Sequence, residues 1–145
     1  LAGNYEICSA EILKIKAAIG EAHLKVILET GVLNTDQIWQ ASVLSMEAGA
    51  DFIKTSTGKL PQAASPEAAF VMCLAIKQHF EETGKKIGFK PAGGISSAED
   101  AILYLTIVQE ILGNDWLNPE LFRIGASRLA NNLLEKIIGP NTKHF

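Results

Sequence analysis

Cysteine is scarce, with two in 145 residues. Cys8 and Cys73 lie far apart in stretches of helical pattern, so no disulfide framework organises the chain. Both are expected to be buried free thiols in a reducing cytoplasm. Histidine is nearly as rare: the three present, His23, His79 and His144, stand alone without ligand spacing, so no metal site is expected. Charge of one sign is also missing. A net charge of -3 leaves no basic surplus, which argues against nucleic acid or an anionic membrane as partner. No apolar run approaches a membrane span, and Leu1 to Glu6 lacks the basic-then-apolar order of a secretory leader. Linkers, low-complexity tracts and hairpin signals such as Asn-Gly are absent too. One domain over residues 1–145 is expected, with few or no hairpins.

What is present alternates between two periods. Cys8, Ile12, Ile15 and Ile19 recur at helical steps, predicting an amphipathic helix over 5–19 closed by Gly20. Leu24 to Glu29 is a compact strand-like run. Asn34-Thr35-Asp36 offers caps for a helix through about Ala48, and a second strand follows over 50–54. Ser65-Pro66-Glu67 supplies a cap, a proline at the first helical position and an acid in the first turn. That helix is expected to turn Ala69, Cys73, Ile76 and Phe80 inward and to stop at Gly84. Lys86 to Lys90 reads as the third strand. Ser96 and Glu99 read as a capping box, opening a helix expected to bury Ala98, Ala101, Ile102, Leu105, Val108 and Leu112. Phe122 to Gly125 reads as the fourth strand, and Ser127 as the cap of a last helix ending at Gly139-Pro140.

A helix followed by four strand-helix units implies a parallel sheet in an α/β fold. Strands of an open doubly wound sheet would be apolar on both faces. Here one face carries charge: Lys25 and Glu29 share it on the first strand, Phe52, Lys54 and Ser56 on the second, Gly88 and Lys90 on the third. Charges at the carboxyl ends of successive parallel strands suit the mouth of a (β/α)8 TIM barrel, which needs roughly 250 residues. About four units plus a preceding helix therefore predict the second, C-terminal half of one barrel over 1–145.

Two groups of residues carry possible chemistry. Gly93-Gly94 with Ser96 or Ser97 behind it, and Gly125-Ala126-Ser127 one unit later, are loops that let a helix N-terminus meet an anion. Phosphate sites often occupy the last two loops of a barrel; otherwise the glycines only form tight turns. Lys54 and Lys90 each end a strand, one unit apart, on the inner face. Two ammoniums about 5 Å apart at an effective dielectric near 20 repel by roughly 3 kcal/mol. Such a neighbour favours a neutral amine, as Schiff-base chemistry requires. The alternative is a structural ion pair between one lysine and Glu29.

Phe-Ile-Lys-Thr-Ser-Thr-Gly-Lys (52–59) and Gly-Phe-Lys-Pro-Ala-Gly-Gly-Ile (88–95) closely resemble signature segments of the deoxyribose-phosphate aldolases. Residues 24–31 and 122–127 are also similar to that family, and the likeness runs to about Ile138. The resemblance implies a class I aldolase on 2-deoxy-D-ribose 5-phosphate, releasing D-glyceraldehyde 3-phosphate and acetaldehyde without metal or organic cofactor. It implies the iminium on Lys54 and a proton relay through Lys90. It places Thr55, Gly58, Lys59, Gly93, Gly94 and Ser127 among substrate or phosphate contacts, with Lys25 lining the mouth.

The sequence departs from the family at three points. The relay's aspartate would lie on a strand upstream of Leu1. Arg128 stands where some relatives have a second serine, and Lys143-His144-Phe145 replaces a terminal tyrosine. The missing N-terminal half is thus an expected partner, alongside the small-molecule substrate and a possible homo-oligomer. These residues alone are expected to be poorly soluble and inactive, because two strand edges and an apolar inner face would lack partners. The alternatives are a non-catalytic phosphate-binding remnant and a Schiff-base aldolase for another sugar phosphate.

Overall fold

A computed structural model describes residues 3–61 and 63–139. Helix α1 (Tyr5–Ile19) leads into strand β1 (Lys25–Ile27), helix α2 (Thr35–Glu47) and strand β2 (Phe52–Lys54). Helix α3 (Pro66–Thr83), strand β3 (Gly88–Lys90), helix α4 (Ala98–Leu112) and helix α5 (Leu129–Ile138) complete the order. The three strands form one parallel sheet in the order β1-β2-β3. Lys25, Phe52 and Gly88 stand side by side, as do Ile27, Lys54 and Lys90. Among the described residues no helix is long and apolar enough to cross a membrane.

Local chemistry explains most helix starts. Asn34 accepts from the Gln37 amide, and the Gln37 side chain accepts from the Asn34 amide, a reciprocal cap on α2. Ser65 accepts from the Ala68 amide, and Pro66 presets the first turn of α3. Beneath α3 and α4 lies the core, where Met72, Ile76 and Val108 cover the outer face of the sheet at Ile53 and Phe89. Burying a side chain of that size contributes about 1.5–3 kcal/mol. Trp116 fixes the entry to β3: its indole N–H donates to the Ile87 carbonyl (2.9 Å), and Phe80 meets the ring edge-on at 5.2 Å.

The sequence pattern misplaces five features. The fourth strand is reduced to two isolated parallel bridges, Phe89 with Phe122 and Ala92 with Gly125. Its backbone bonds run Phe89 N–H to Leu121, Arg123 N–H to Phe89, then Gly125 N–H to Pro91. The bond that would continue the ladder needs an amide proton at residue 91, and proline has none. The box at α4 is formed by Ser97 and Asp100 rather than Ser96 and Glu99. Asp100 accepts from the amides of both Ser96 (3.1 Å) and Ser97 (3.0 Å).

The buried face of α4 is centred on Tyr104 and Val108. Ala101 and Leu112 pack beside them, whereas Ile102 and Leu105 are exposed at 61% and 40%. That helix is apolar on more than one side, so the spacing does not single out one face. At the last helix Arg128 holds the N-cap position, and Ser127 makes no cap. Cys73 is a buried thiol, but Cys8 is exposed. No residue of α1 is buried; Cys8, Ile12 and Ile15 instead line an apolar groove of about 360 Å³ against Ile27 and Leu44.

One polar tie holds α1 to the sheet. Asp51, just before β2, accepts from the Lys16 ammonium (2.6 Å) and from the Leu24 amide (2.8 Å). Burial alone would raise its pKa, but these bonds and the charges of Lys16 and Lys85 outweigh it and lower the value. A lowered carboxyl pKa stabilises the fold above the unfolded value and loses that contribution as pH falls through the folded one. Asp51→Asn is therefore expected to cost about 1.5–3 kcal/mol at neutral pH. The difference from wild type should shrink below about pH 4 in denaturant melts.

Candidate active site

The carboxyl ends of β2 and β3 open into a cavity of about 510 Å³. Lys54 and Lys90, paired in register, supply its two lysines. Gly58 bounds it on the β2 side, Gly93 and Gly94 on the β3 side, and Gly125 to Arg128 close it before α5. The lining contains three cations, Lys54, Lys90 and Arg128, and no carboxylate among the described residues. Such a site favours an anion that can also meet an amine.

The inner face explains why the lysines stand clear. Gly125 has no side chain to meet Lys90: a Cβ there would lie 3.1 Å from the Lys90 Cε and 2.6 Å from the Ala92 Cβ. None of the ion pairs among the described residues involves Lys25, Lys54 or Lys90. Glu29, the alternative partner weighed from the sequence, is engaged elsewhere. Its carboxylate accepts from the Thr57 hydroxyl (2.6 Å) and amide (3.2 Å), and its backbone is left-handed at φ 56°. Glu29 thus clamps the turn after β2 instead of neutralising a lysine. The Lys90 pKa is lowered, first by burial and then by the charges of Lys25, Lys54 and Arg123. A depressed ammonium is easier to hold as the free base.

Three other expected contacts sit apart from the cavity lining. Lys25 lies lower on the inner face, its ammonium 5.5 Å from the centre of the Phe52 ring. Lys59 is exposed beyond the Glu29–Thr57 clamp, and its amide donates to the Thr57 hydroxyl at 3.3 Å. Thr55 is fully buried, and both roles of its hydroxyl go to one residue: it donates to the Ala92 carbonyl (3.1 Å) and accepts from the Ala92 amide (2.9 Å). The Ser56 hydroxyl donates to the same carbonyl. Thr55 therefore braces the two strand ends against each other and has no hydrogen-bonding capacity directed at a ligand, contrary to its expected place among the binding residues.

The backbone of the anion site also differs from expectation. Because Asp100 takes the Ser96 and Ser97 amides, the start of α4 is already capped. The glycine loop is packed from behind: Gly93 has φ +94°, and a Cβ on it would fall 2.3 Å from the Ala63 Cβ and 3.1 Å from the Ser56 Oγ. Three segments, after β2, before α3 and after β3, meet at that one hydrogen atom. Sequence reasoning overlooked Thr57, Ser56 and Arg123. The Thr55-Ser56-Thr57 turn was a usable signal for the first two, since short hydroxyl side chains cross-link adjacent loops. Among the described residues, no group of three His, Cys, Asp or Glu side chains converges as a metal-binding set.

Residues 2–111 match the model of a DeoC/LacD family aldolase. The chain is 52% identical over 138 residues to the deoxyribose-phosphate aldolase of Homo sapiens, covering 94% of this chain and 43% of the human protein. It is 48% identical over 138 residues to that of Mus musculus, with the same coverage. A tetrameric deoxyribose phosphate aldolase from Aeropyrum pernix is similar in structure, with a TM-score of 0.69 and 26% identity over 95% of this chain and 52% of that one. The chain spans less than half the length of the mammalian relatives it matches.

Proposed function

We propose, since this chain belongs to the DeoC/LacD family of aldolases, that it forms the lysine-bearing half of a (β/α)8 barrel. In this reading the barrel cleaves 2-deoxy-D-ribose 5-phosphate reversibly to D-glyceraldehyde 3-phosphate and acetaldehyde. The observation that carries the proposal is the register of Lys54 with Lys90 at the mouth of a cavity walled by two glycine loops. The activity is assigned to the complete barrel.

The Lys54 amine, as free base, adds to the C1 aldehyde, and loss of water with uptake of one proton gives an iminium. The C3 hydroxyl then loses its proton, the C2–C3 bond breaks, and its electron pair moves into the iminium to form an enamine. D-Glyceraldehyde 3-phosphate departs. Protonation of the enamine carbon and hydrolysis release acetaldehyde and restore the amine. Lys90, which lines the same cavity and whose surroundings favour its neutral form, exchanges these protons in this reading. Gly94, Ala126 and Ser127 offer backbone to the phosphate, the Gly93 and Gly125 amides being spent on the Gly125 and Pro91 carbonyls, and Arg128 supplies a guanidinium suited to two phosphate oxygens. Lys25 and Lys59 act at longer range, adding to the positive potential of the mouth. Free thiols at Cys8 and Cys73 suit a cytoplasmic setting.

Cleavage of deoxyribose 5-phosphate, compared with ketose phosphates and with unphosphorylated deoxyribose, tests the assignment in the full-length protein. The expected order is deoxyribose 5-phosphate far ahead of both. Preference for a ketose phosphate would reassign the substrate, and no cleavage of any would leave a phosphate-binding barrel without catalysis.

A further inference from the structure

Below the paired lysines the inner face has a floor that the chemistry above does not use. Phe52 is buried and projects inward between β1 and β3. It fits only because its neighbour is Gly88: a Cβ there would lie 2.3 to 2.5 Å from three atoms of the Phe52 ring. Lys25 approaches the ring at 5.5 Å, and the Arg123 guanidinium lies 4.9 Å from its centre.

Arg123 belongs to the segment beside β3, and its amide donates to the Phe89 carbonyl. It is exposed, and an exposed arginine ordinarily samples many rotamers. This one is held at two points, by the aromatic face and by a bond from its Nε–H to the Pro119 carbonyl at 2.7 Å. The gap left by Gly88 lets it cross from its own segment to a ring on β2. We propose that Arg123 is a positioning residue for the lysine site: stacked on Phe52 across Gly88, it holds a permanent positive charge beneath Lys90.

Among the described residues, the charged groups that act on Lys90 are Lys25 on β1, Lys54 on β2 and Arg123 beyond β3, all cationic. Of these, only Arg123 keeps its charge at any pH the protein survives. When Lys54 loses its proton, or its iminium becomes a neutral enamine, the push from that side is lost, whereas the push from Arg123 is not. Its contribution is to keep Lys90 poised as a base through the cycle. The kinetic part of this inference rests on the Schiff-base reading above; the electrostatic part does not.

The test separates the two. In the full-length protein, competitive acetylation across pH, read by mass spectrometry on the peptide containing Lys90, reports that amine's own titration without substrate. Arg123→Met and Arg123→Gln should both move the Lys90 midpoint upward, and Arg123→Lys should stay nearer wild type. In the same samples, borohydride reduction with acetaldehyde reports whether Lys54 forms the aldehyde adduct. An unmoved Lys90 midpoint in the Met and Gln variants overturns the proposal, as does a Lys variant displaced as far as Met. If Lys90 moves but no aldehyde is trapped on Lys54 even in wild type, the floor is supported and the Schiff-base reading falls.

Discussion

Lys54→Arg is expected to lower aldol cleavage by about 10⁴-fold or more, with the protein still folded and still binding sugar phosphate. The substitution keeps a cation of similar reach at the end of β2, so the positive field of the cavity survives. It removes the one property the chemistry needs, an amine that can exist as a free base, because guanidinium does not deprotonate in proteins. An iminium on residue 54 is then impossible, and Lys90, on the adjacent strand, lies at a different point over the cavity. Borohydride reduction in the presence of acetaldehyde should add one ethyl group to wild type, on the peptide containing Lys54, and none to the variant. A variant retaining about a tenth of wild-type cleavage would remove Lys54 from the covalent role.

Gly93→Ala has the next largest expected effect, of a different kind. An added methyl group would stand 2.3 Å from the Ala63 Cβ, and the backbone there has φ +94°. The left-handed conformation costs a non-glycine residue about 1–2 kcal/mol, and relieving the overlap adds about 1–3 kcal/mol. The loop is expected to shift outward, pulling the Gly94 backbone at the cavity wall with it. Affinity for phosphorylated substrate should fall roughly tenfold or more, while trapping of acetaldehyde on Lys54 continues, because that adduct carries no phosphate. Urea melts and a comparison of KM with trapping rate check both halves. Equal losses of trapping and of phosphate affinity would show that Gly93 supports the whole cavity and not its anion side.

Much of this arrangement was legible from residue order because it depends on local chemistry. Ser65-Pro66, Asn34 and the glycines after each helix set element ends through bonds made within a few residues. Lys54 and Lys90 could be placed on one face because the period of a strand is two and each closes a short apolar run. Features set by distant contacts were hidden. Nothing local distinguishes Ile102 from Tyr104 as the buried side of α4; the choice follows from how the helix rolls onto α3 and the sheet. Pro91 breaks a ladder only because its missing proton faces the segment containing Arg123. Thr55 was placed among the ligand contacts by the family resemblance, yet one register position past the lysine its side chain points into the protein. The Arg123–Phe52 contact spans residues 71 positions apart and exists only because a third residue, Gly88, is small.

That third residue has counterparts. At Gly88, Gly93 and Gly125 a single added carbon would come within 2.3 to 2.6 Å of another atom, whereas at Gly58 and Gly94 it would meet nothing within 4 Å. The first three are the places where the interior is already full, and every codon change away from glycine adds that carbon. In a library covering all substitutions, these columns should stand nearly empty beside more permissive ones at Lys59 and Arg128. Variation in this site is therefore channelled to its rim, at Arg128 and Lys59, where evolution or an engineer has room to change what the cavity accepts.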